Sequence, residues 1–502
     1  MKSIDKKGDS VSWSLVLGVT VFGMLGAGRG LDEGTVSGNL SQNSFQQQLG
    51  FHTRPPKEVA DIKSNVASMV LVGSIGGTIL GLLVNDLIGR IRSLQLCIVL
   101  WLAGVIIQIT TFGGVGQLYA GRLVAGLGVG MTTVVCPTYL VEIAPKHIRG
   151  RCTNIFAGSV YLGIMLGYFS NWGTSLHLSN TDRNQWVIPT SIQIIYGGLI
   201  MIGSFFTLES PRWLLKQGRD KDGVNVLMKL RNVDQHEADL AQELGQIYAQ
   251  ISEEQAIHSK YIVLKEILLN CDNRYRLVLG LLIQLLAQFS GATAVTIYAP
   301  EIFQIVGIAH SQRLLATSMF GVVKLLSALT CALFVVDYLG RKKALYIGVT
   351  LQLLSLVYLA VYIHFREKLE LTVPIERAGV AAAAMIYING FGWAMGWNSV
   401  QYLFNAEIFP TSLRSAASGI ILVFHFVCQF ACSKALPAMF LALHPWGTMV
   451  FFACVTFIGL LFCYFLLPEV AGTSLEHIGN LFLLPWYKIG RASKHTAEKH
   501  YL

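Results

Sequence analysis

Pro137-Thr-Tyr-Leu-Val-Glu142-Ile-Ala-Pro145-Lys-His-Ile-Arg149-Gly150-Arg151 ends a long apolar run with a carboxylate, a proline and a burst of positive charge. Glu407-Ile-Phe-Pro410-Thr-Ser-Leu-Arg414 repeats the Glu, Pro and Arg with the same internal spacing 265 residues later, again where an apolar segment stops. Asp86-Leu-Ile-Gly89-Arg90 returns as Asp337-Tyr-Leu-Gly340-Arg341, 251 residues on. Glu209-Ser-Pro-Arg212 is echoed by Pro468-Glu469 at an offset of 260. Landmarks recurring at nearly one offset mark an internal duplication of about half the chain.

The 502 residues are 53% hydrophobic and 13% charged, with a mean hydropathy of +0.53. Typical soluble domains carry about 25% charged residues. Twelve apolar runs lie near 13–31, 65–87, 93–112, 116–141, 153–175, 187–208, 276–298, 313–336, 342–364, 379–402, 415–437 and 446–466. Each is long enough to cross a hydrocarbon core of about 30 Å as a helix, the form in which one segment satisfies its own backbone in lipid. The reading is an all-α membrane protein of two pseudo-symmetric six-helix bundles. Its expected divisions are an N-terminal bundle (1–208), a cytoplasmic helical linker (209–275), a C-terminal bundle (276–467) and a cytoplasmic tail (468–502).

The net charge of +9 points to a membrane orientation rather than to nucleic acid, because of where it lies. Lys and Arg gather in alternate loops: at 90–92, 146–151, through 209–275, at 341–343, and from Arg414 into the tail. The positive-inside rule makes that side cytoplasmic, with both termini on it. The leader Met1–Ser10 is too short and polar for a secretory signal, so the first helix reads as an uncleaved insertion signal. Nine cysteines show no CxxC or metal spacing, and Cys428 and Cys432, which share a helix face among apolar neighbours, read as small core residues.

Polar groups inside the apolar runs are the candidate machinery, since an intramembrane charge is costly and faces a cavity or a partner. Gly26-Ala-Gly-Arg29-Gly-Leu-Asp32-Glu33-Gly34 closes the first run, and Asp32 is its leading candidate. The alternative is a helix end already at the outer interface, followed by a polar loop over about 35–64. In that loop Asn39-Leu-Ser41 is a weak glycosylation acceptor. Arg122, in the glycine-rich fourth run, needs a counter-ion inside the bundle, and Asp32 is the best one available. Gln284, Gln288, Thr293 and Tyr298 offer neutral hydrogen bonds to a polyhydroxylated solute, or polar glue between helices. Lys324 sits about ten residues, roughly 15 Å of helix, from either end of its run. That is too far to snorkel comfortably, so it faces a cavity or pairs with an acid. Trp393, Trp397, Asn398, Gln401, Tyr402 and Asn405, with His425 and Gln429, place aromatics beside amides, as a sugar-sized site does. Leu240, Leu244, Ile247 and Ile251 predict one amphipathic helix in the 209–275 segment.

These landmarks together resemble the sugar-porter branch of the major facilitator superfamily. The Asp86/Gly89/Arg90 turn and its Asp337/Gly340/Arg341 twin carry the resemblance, with Gly121-Arg122 and the Pro137–Gly150 stretch. Glu209-Ser-Pro-Arg212-Trp213-Leu214, Glu407-Ile-Phe-Pro410 and Pro468-Glu469 complete it. The resemblance implies two bundles around a central site exposed alternately to each side. It implies a cytoplasmic salt-bridge latch of Asp86, Arg90, Glu142, Arg149, Glu209, Arg212, Asp337, Arg341, Glu407, Arg414 and Glu469. It also sets Asp32 where proton-coupled members carry their first-helix acid, with Arg122 as partner, which implies proton symport. The hexose pocket of the family is altered here: Ala287-Gln288 replaces a Gln pair, Thr293 an Asn, Tyr161 a Gln, and Tyr402 a Trp. His425 stands near another sugar-binding polar position. Lys324 replaces an Asn and resembles fungal members of the quinate group.

The expected function is therefore proton-coupled symport of a monosaccharide or related polyhydroxy compound, with a quinate or sugar-acid carrier using Lys324 as the alternative. The expected partners are the solute, protons and the bilayer, with no cofactor, no metal and no nucleic acid. The family default is a monomer in the plasma membrane, an internal membrane remaining open. A transporter-like nutrient sensor is disfavoured by the short tail and by the presence of both Asp32 and Arg122. An intramembrane enzyme lacks a nucleophile–base or metal-ligand set in the sequence.

Overall fold

Apolar runs flanked by glycine, proline and charge give helices of membrane-spanning length. The computed structural model describes residues 12–145, 148–232, 238–256, 260–331, 341–368, 375–398, 401, 404, 408–468 and 482. Among the described residues, twelve helices are long and apolar enough to cross a membrane. The first half contributes α1 (Trp13–Ser41), α2 (Pro56–Ile88), α3 (Arg90–Ile109), α4 (Val115–Ile143), α5 (Arg149–His177) and α6 (Asn184–Ser204). The second contributes α7 (Cys271–Ile297), α8 (Ser311–Thr330), α9 (Lys342–Arg366), α10 (Ala378–Met395), α11 (Leu413–Ala442) and α12 (His444–Phe465).

The packing repeats as the sequence does. In the first half α1 packs on α5, α2 on α4, and α3 on α4 and α6. The second half repeats each pair six helices on: α7 with α11, α8 with α10, and α9 with α10 and α12. The halves meet where α2 packs on α11 and α5 on α8, a pair of seams that this exchange maps onto one another. The protein is thus an all-helical bundle of two pseudo-symmetric six-helix units.

α1 departs from expectation. It turns at Leu25 and then continues to Ser41, well past the predicted end at residue 31. Gly26, Gly30, Gly34 and Gly38 recur every four residues, and a methyl at any of them would collide with α5. Small residues at that period let two backbones touch, so this face of α1 is pressed into the bundle. Polar residues that resemble a loop find partners inside protein. Asn39 Nδ2 donates to Thr190 at 3.0 Å, and Gln193 Nε2 donates to Thr35 Oγ1 at 3.0 Å. The glycosylation reading of Asn39 is therefore corrected: the residue is 4% exposed, lies inside a helix and is already bonded through its amide.

On the face that carries the 211–269 segment, the loop between α2 and α3 is a clasp. Arg90 donates to both oxygens of Glu142, at 2.8 and 2.7 Å, and to Asp86 at 3.0 Å. Lys216 Nζ donates to Asp86 at 3.1 Å, and Trp213 Nε1 donates to the Asp86 carbonyl at 2.9 Å. Glu209 accepts from the backbone N–H groups of Arg90, Ile91 and Ser210 at 3.0, 3.2 and 2.9 Å, so its carboxylate caps α3. Burial holds the Glu209 carboxyl above its ordinary range, outweighing those three bonds. Glu142 thus takes Arg90 rather than Arg149. Beyond the clasp, Pro211–Lys216, Asp220–Arg231 and Ala238–Ala256 are helical. The last buries Leu240 and Ile251, as its amphipathic spacing predicts, and Arg212 donates to Gln250 at 3.1 Å. Arg414 donates to the Phe409 carbonyl at 3.3 Å. Asp337, Glu407 and Glu469, and the side chain of Arg341, lie outside the described residues.

Gly89 joins α2 to α3 at φ 93°, ψ 170°, a conformation that side-chain-bearing residues avoid. A Cβ there would sit 2.7 Å from Glu209 Oε2 and 3.2 Å from the Trp213 ring. Gly89→Ala is expected to cost about 1–3 kcal/mol and to lower the thermal midpoint of the purified protein. An unchanged midpoint would show that the clasp relaxes freely.

Candidate functional site

The centre of the molecule holds charges that the apolar sequence around them makes conspicuous. Arg122 Nη1 on α4 donates to Asp32 Oδ1 on α1 at 2.6 Å, and Arg122 Nε donates to the Val66 carbonyl of α2 at 2.9 Å. Both side chains of the pair are 2% exposed. On the same helix Arg29, about one turn before Asp32, donates through Nε to Oε1 of the adjacent Glu33 at 3.3 Å. Arg29 also reaches the second half, donating to Gln429 Oε1 at 3.4 Å and lying 5.3 Å above the Phe426 ring. Arg29, Asp32, Glu33 and Arg122 line one cavity, to which the second half contributes Ile297 and Phe426.

The second half supplies neutral donors and one ammonium. α7 breaks at Ser290–Gly291, where Gly291 has φ 84°, and resumes over Ala292–Ile297. The break places Gln288 and Thr293 together: Thr293 Oγ1 donates to Gln288 Oε1 at 3.0 Å. His425 Nδ1 of α11 lies 2.8 Å from Gln284 Oε1 and 3.3 Å from Gln288 Nε2. Gln284 Nε2 is buried with no hydrogen-bond partner among the described residues. Lys324 Nζ of α8 donates to Thr296 Oγ1 at 2.7 Å and lies 5.2 and 5.5 Å above the rings of Tyr161 and Phe320. Trp393 Nε1 donates to the Tyr161 hydroxyl at 3.1 Å, which joins α10 to α5.

The structure thus brings together Asp32 with Arg122, and Gln284, Gln288 and Thr293 with His425. Tyr161 meets Lys324, and Gln429 meets Arg29. Trp397 is fully buried with its indole against Gly459 of α12, so it packs within the second bundle. Tyr402 lies outside the described residues. The residues that side-chain type alone did not single out are Glu33, Arg29 and Thr296. The first two stood in the charge-dense stretch 26–34, and their opposite charges one helical turn apart were the available signal.

A twelve-helix membrane bundle with this internal symmetry and a buried ionic centre has the architecture of a solute carrier. A family model described as "Sugar (and other) transporter" matches residues 18–482, and the chain belongs to that family, within the major facilitator superfamily. Among curated relatives, a quinate permease of Neurospora africana is 29% identical over 486 residues, covering 94% of this chain and 88% of the relative. A probable quinate permease of Neosartorya fischeri is 30% identical over 477 residues, with the same coverage. Among solved structures, the E. coli xylose transporter XylE in a partially occluded inward-open conformation matches with a TM-score of 0.77 and 22% identity. It covers 92% of this chain and all of that one. The proton:xylose symporter XylE bound to 6-bromo-6-deoxy-D-glucose also matches at 0.77 and 22%, covering 93% of this chain and 99% of that one.

Removing one partner of a buried ion pair strands the other charge, at about 3–5 kcal/mol. Arg122→Leu is therefore expected to lower stability by that amount, and adding Asp32→Asn is expected to recover part of the loss. Unfolding of the four proteins in one detergent measures the coupling, and strictly additive effects would contradict it.

Proposed function

We propose that the protein is a proton-coupled secondary transporter of a polyhydroxylated carboxylate of the quinate class. The observation that carries the substrate class is Lys324. Its ammonium is buried in the second bundle with a hydroxyl and two aromatic faces around it, and no described carboxylate lies in ion-pair range. A buried cation is costly unless it is paired, and the carboxylate of an entering solute is the missing partner. The amides and hydroxyls of Gln284, Gln288 and Thr293 would read the solute's hydroxyls. The quinate permeases among the relatives support the same class.

Asp32 and Arg122 supply the coupling. While Asp32 is ionised it holds α1 to α4 and, through Arg122 and Val66, to α2. A proton on Asp32 abolishes the charge attraction and frees Arg122, which changes the relative stability of the cavity's two orientations. Alternation then proceeds by rocking of the two bundles about the α2–α11 and α5–α8 seams. The basic loops support a cytoplasmic position for both termini. We assign the carrier to the plasma membrane, acting as a monomer.

A second reading, symport of a neutral monosaccharide, is favoured by the same Gln284–Gln288–His425 group, which contributes no fixed charge. Proteoliposome uptake of labelled quinate and of labelled hexoses, with an acidic exterior, separates the two. Quinate is expected to accumulate. Lys324→Asn is expected to raise its KM about 10- to 100-fold, the worth of one charge-assisted hydrogen bond. Uptake of hexose alone would overturn the carboxylate reading. Asp32→Asn is expected to keep solute exchange across the membrane while losing proton-driven accumulation, and accumulation that survives would remove Asp32 from the coupling.

A further inference from the structure

Lys63 and Glu301 take no part in that mechanism and lie toward the end of α2 opposite the clasp, the outer end in the orientation proposed above. There a cavity of about 30 Å³ crosses the seam, with Ser37 and Lys63 from the first half and Glu301, Gln304 and Arg313 from the second. That volume holds about two water-sized groups, the size of the two oxygens of a carboxylate. Its charged lining among the described residues is Lys63, Arg313 and Glu301, so it carries one net positive charge. Lys63 Nζ holds Glu301 Oε1 at 3.1 Å, and the excess charge therefore falls on Arg313. The Arg313 Nε is buried and has no hydrogen-bond partner among the described residues.

Arg313 stands in the first turn of α8, where no acidic residue accompanies it. The N-terminal end of a helix is itself positive, so a guanidinium there is poorly placed unless an anion shares the site. A guanidinium also presents two parallel donors that fit a carboxylate. We propose that this cavity is an entry subsite, in which Arg313 and Lys63 take the carboxylate of the solute before it reaches Lys324. The inference rests on the carboxylate reading above, and a neutral sugar would gain nothing from such a subsite.

The outer cavity is next to the group that holds Lys324. Ile297 lines both this cavity and the central one, a wall common to the two. Thr296, its neighbour in the chain, accepts from Lys324 through its hydroxyl at 2.7 Å. The Thr296 carbonyl accepts from Ser37, which lines the outer cavity, at 3.2 Å. The step inward past Ile297 thus takes a carboxylate from one cationic site to the next. Glu301 is the subsite's own competitor, occupying Lys63 while the cavity is empty. An arriving carboxylate brings the net charge of the cavity to zero, and no proton is required. The Lys63 and Glu301 side chains are 19% and 35% exposed, which leaves their pair open to exchange with an anion from the medium.

The test reads occupancy of the outer cavity itself. Gln304 lines it and is exposed, so Gln304→Cys in proteoliposomes of the full chain can be labelled with a neutral, membrane-impermeant maleimide and followed on its own peptide. Quinate is expected to slow the labelling, whereas its neutral methyl ester and chloride are expected to leave it unchanged. Adding Lys324→Asn is expected to leave the half-protecting quinate concentration where it was. Adding Arg313→Gln is expected to raise it about tenfold or more, the worth of one charge-assisted hydrogen bond. Adding Glu301→Gln, which frees Lys63, is expected to lower it. Protection that weakens with Lys324→Asn reports the central site and overturns the inference. So does a lack of protection in a protein that carries quinate, or equal protection by chloride or by the methyl ester. Should Arg313→Gln fail to fold, Glu301→Gln decides, and an unchanged half-protecting concentration overturns the inference. All of these leave carboxylate transport standing, whereas a parent that carries hexose and no quinate overturns both readings.

Discussion

Everything at the centre of this protein depends on one buried ion pair, Arg122 to Asp32 at 2.6 Å with both partners 2% exposed. Two such charges in a membrane interior are tolerated only if they neutralise each other and their remaining hydrogen-bonding groups are met. The Val66 carbonyl meets Arg122 Nε, and the glycine period of α1 makes the approach possible by pressing the helix backbone against α5. The backbone packing and the electrostatics therefore form one requirement. A bulkier residue at Gly30 or Gly34 would move α1 and with it the carboxylate that Arg122 requires.

The two faces of the bundle are held differently. On one, Arg90, Asp86, Glu142, Glu209 and Lys216 tie the first half to itself and to the helices that follow it. Their geometry is tight, with a bidentate guanidinium and three backbone donors on a single carboxylate, so this end of the first bundle is closely cross-linked. On the other face, Lys63 of α2 pairs with Glu301 at 3.1 Å, and Lys434 of α11 donates to Ser64 at 2.9 Å and to Asn65. These contacts join the halves through side chains that are partly exposed. Pairs of that kind are worth about 0–1 kcal/mol. Contacts this weak at the rim of the seam are compatible with the rocking proposed above.

Much of this was legible in the sequence because duplication and hydropathy are strong signals, and because a charge inside an apolar run admits few readings. Asp32 and Arg122 found each other on that logic. The length of α1 was not legible. Thr35, Ser37 and Asn39 look like loop residues, and the groups that satisfy them lie 158, 259 and 151 residues away in the chain. The resemblance put Glu142 in the latch without saying which cation it takes, and the folded chain offers it Arg90, 52 residues back. Arg29 and Glu33 were overshadowed by Asp32. Only the cavity, with Gln429 400 residues on, shows that they face the same space.

The short helix Ala292–Ile297 after the break in α7 joins the two halves and carries one of the proposed solute contacts. Thr293 at its start bonds Gln288, beside His425 and Gln284. Near its end, the Thr296 carbonyl accepts from Tyr168 of α5 at 2.6 Å and from Ser37 of α1 at 3.2 Å, both in the first half. The Thr296 hydroxyl accepts from Lys324. A helix of six residues freed by Gly291 is too short to hold its position by itself, and its placement is set by these contacts at its two ends. A solute bound as proposed, by Gln288 and Lys324, would act on the same segment that Ser37 and Tyr168 hold. On the proposed reading, occupancy of the site and closure of the seam would be linked through one turn of backbone.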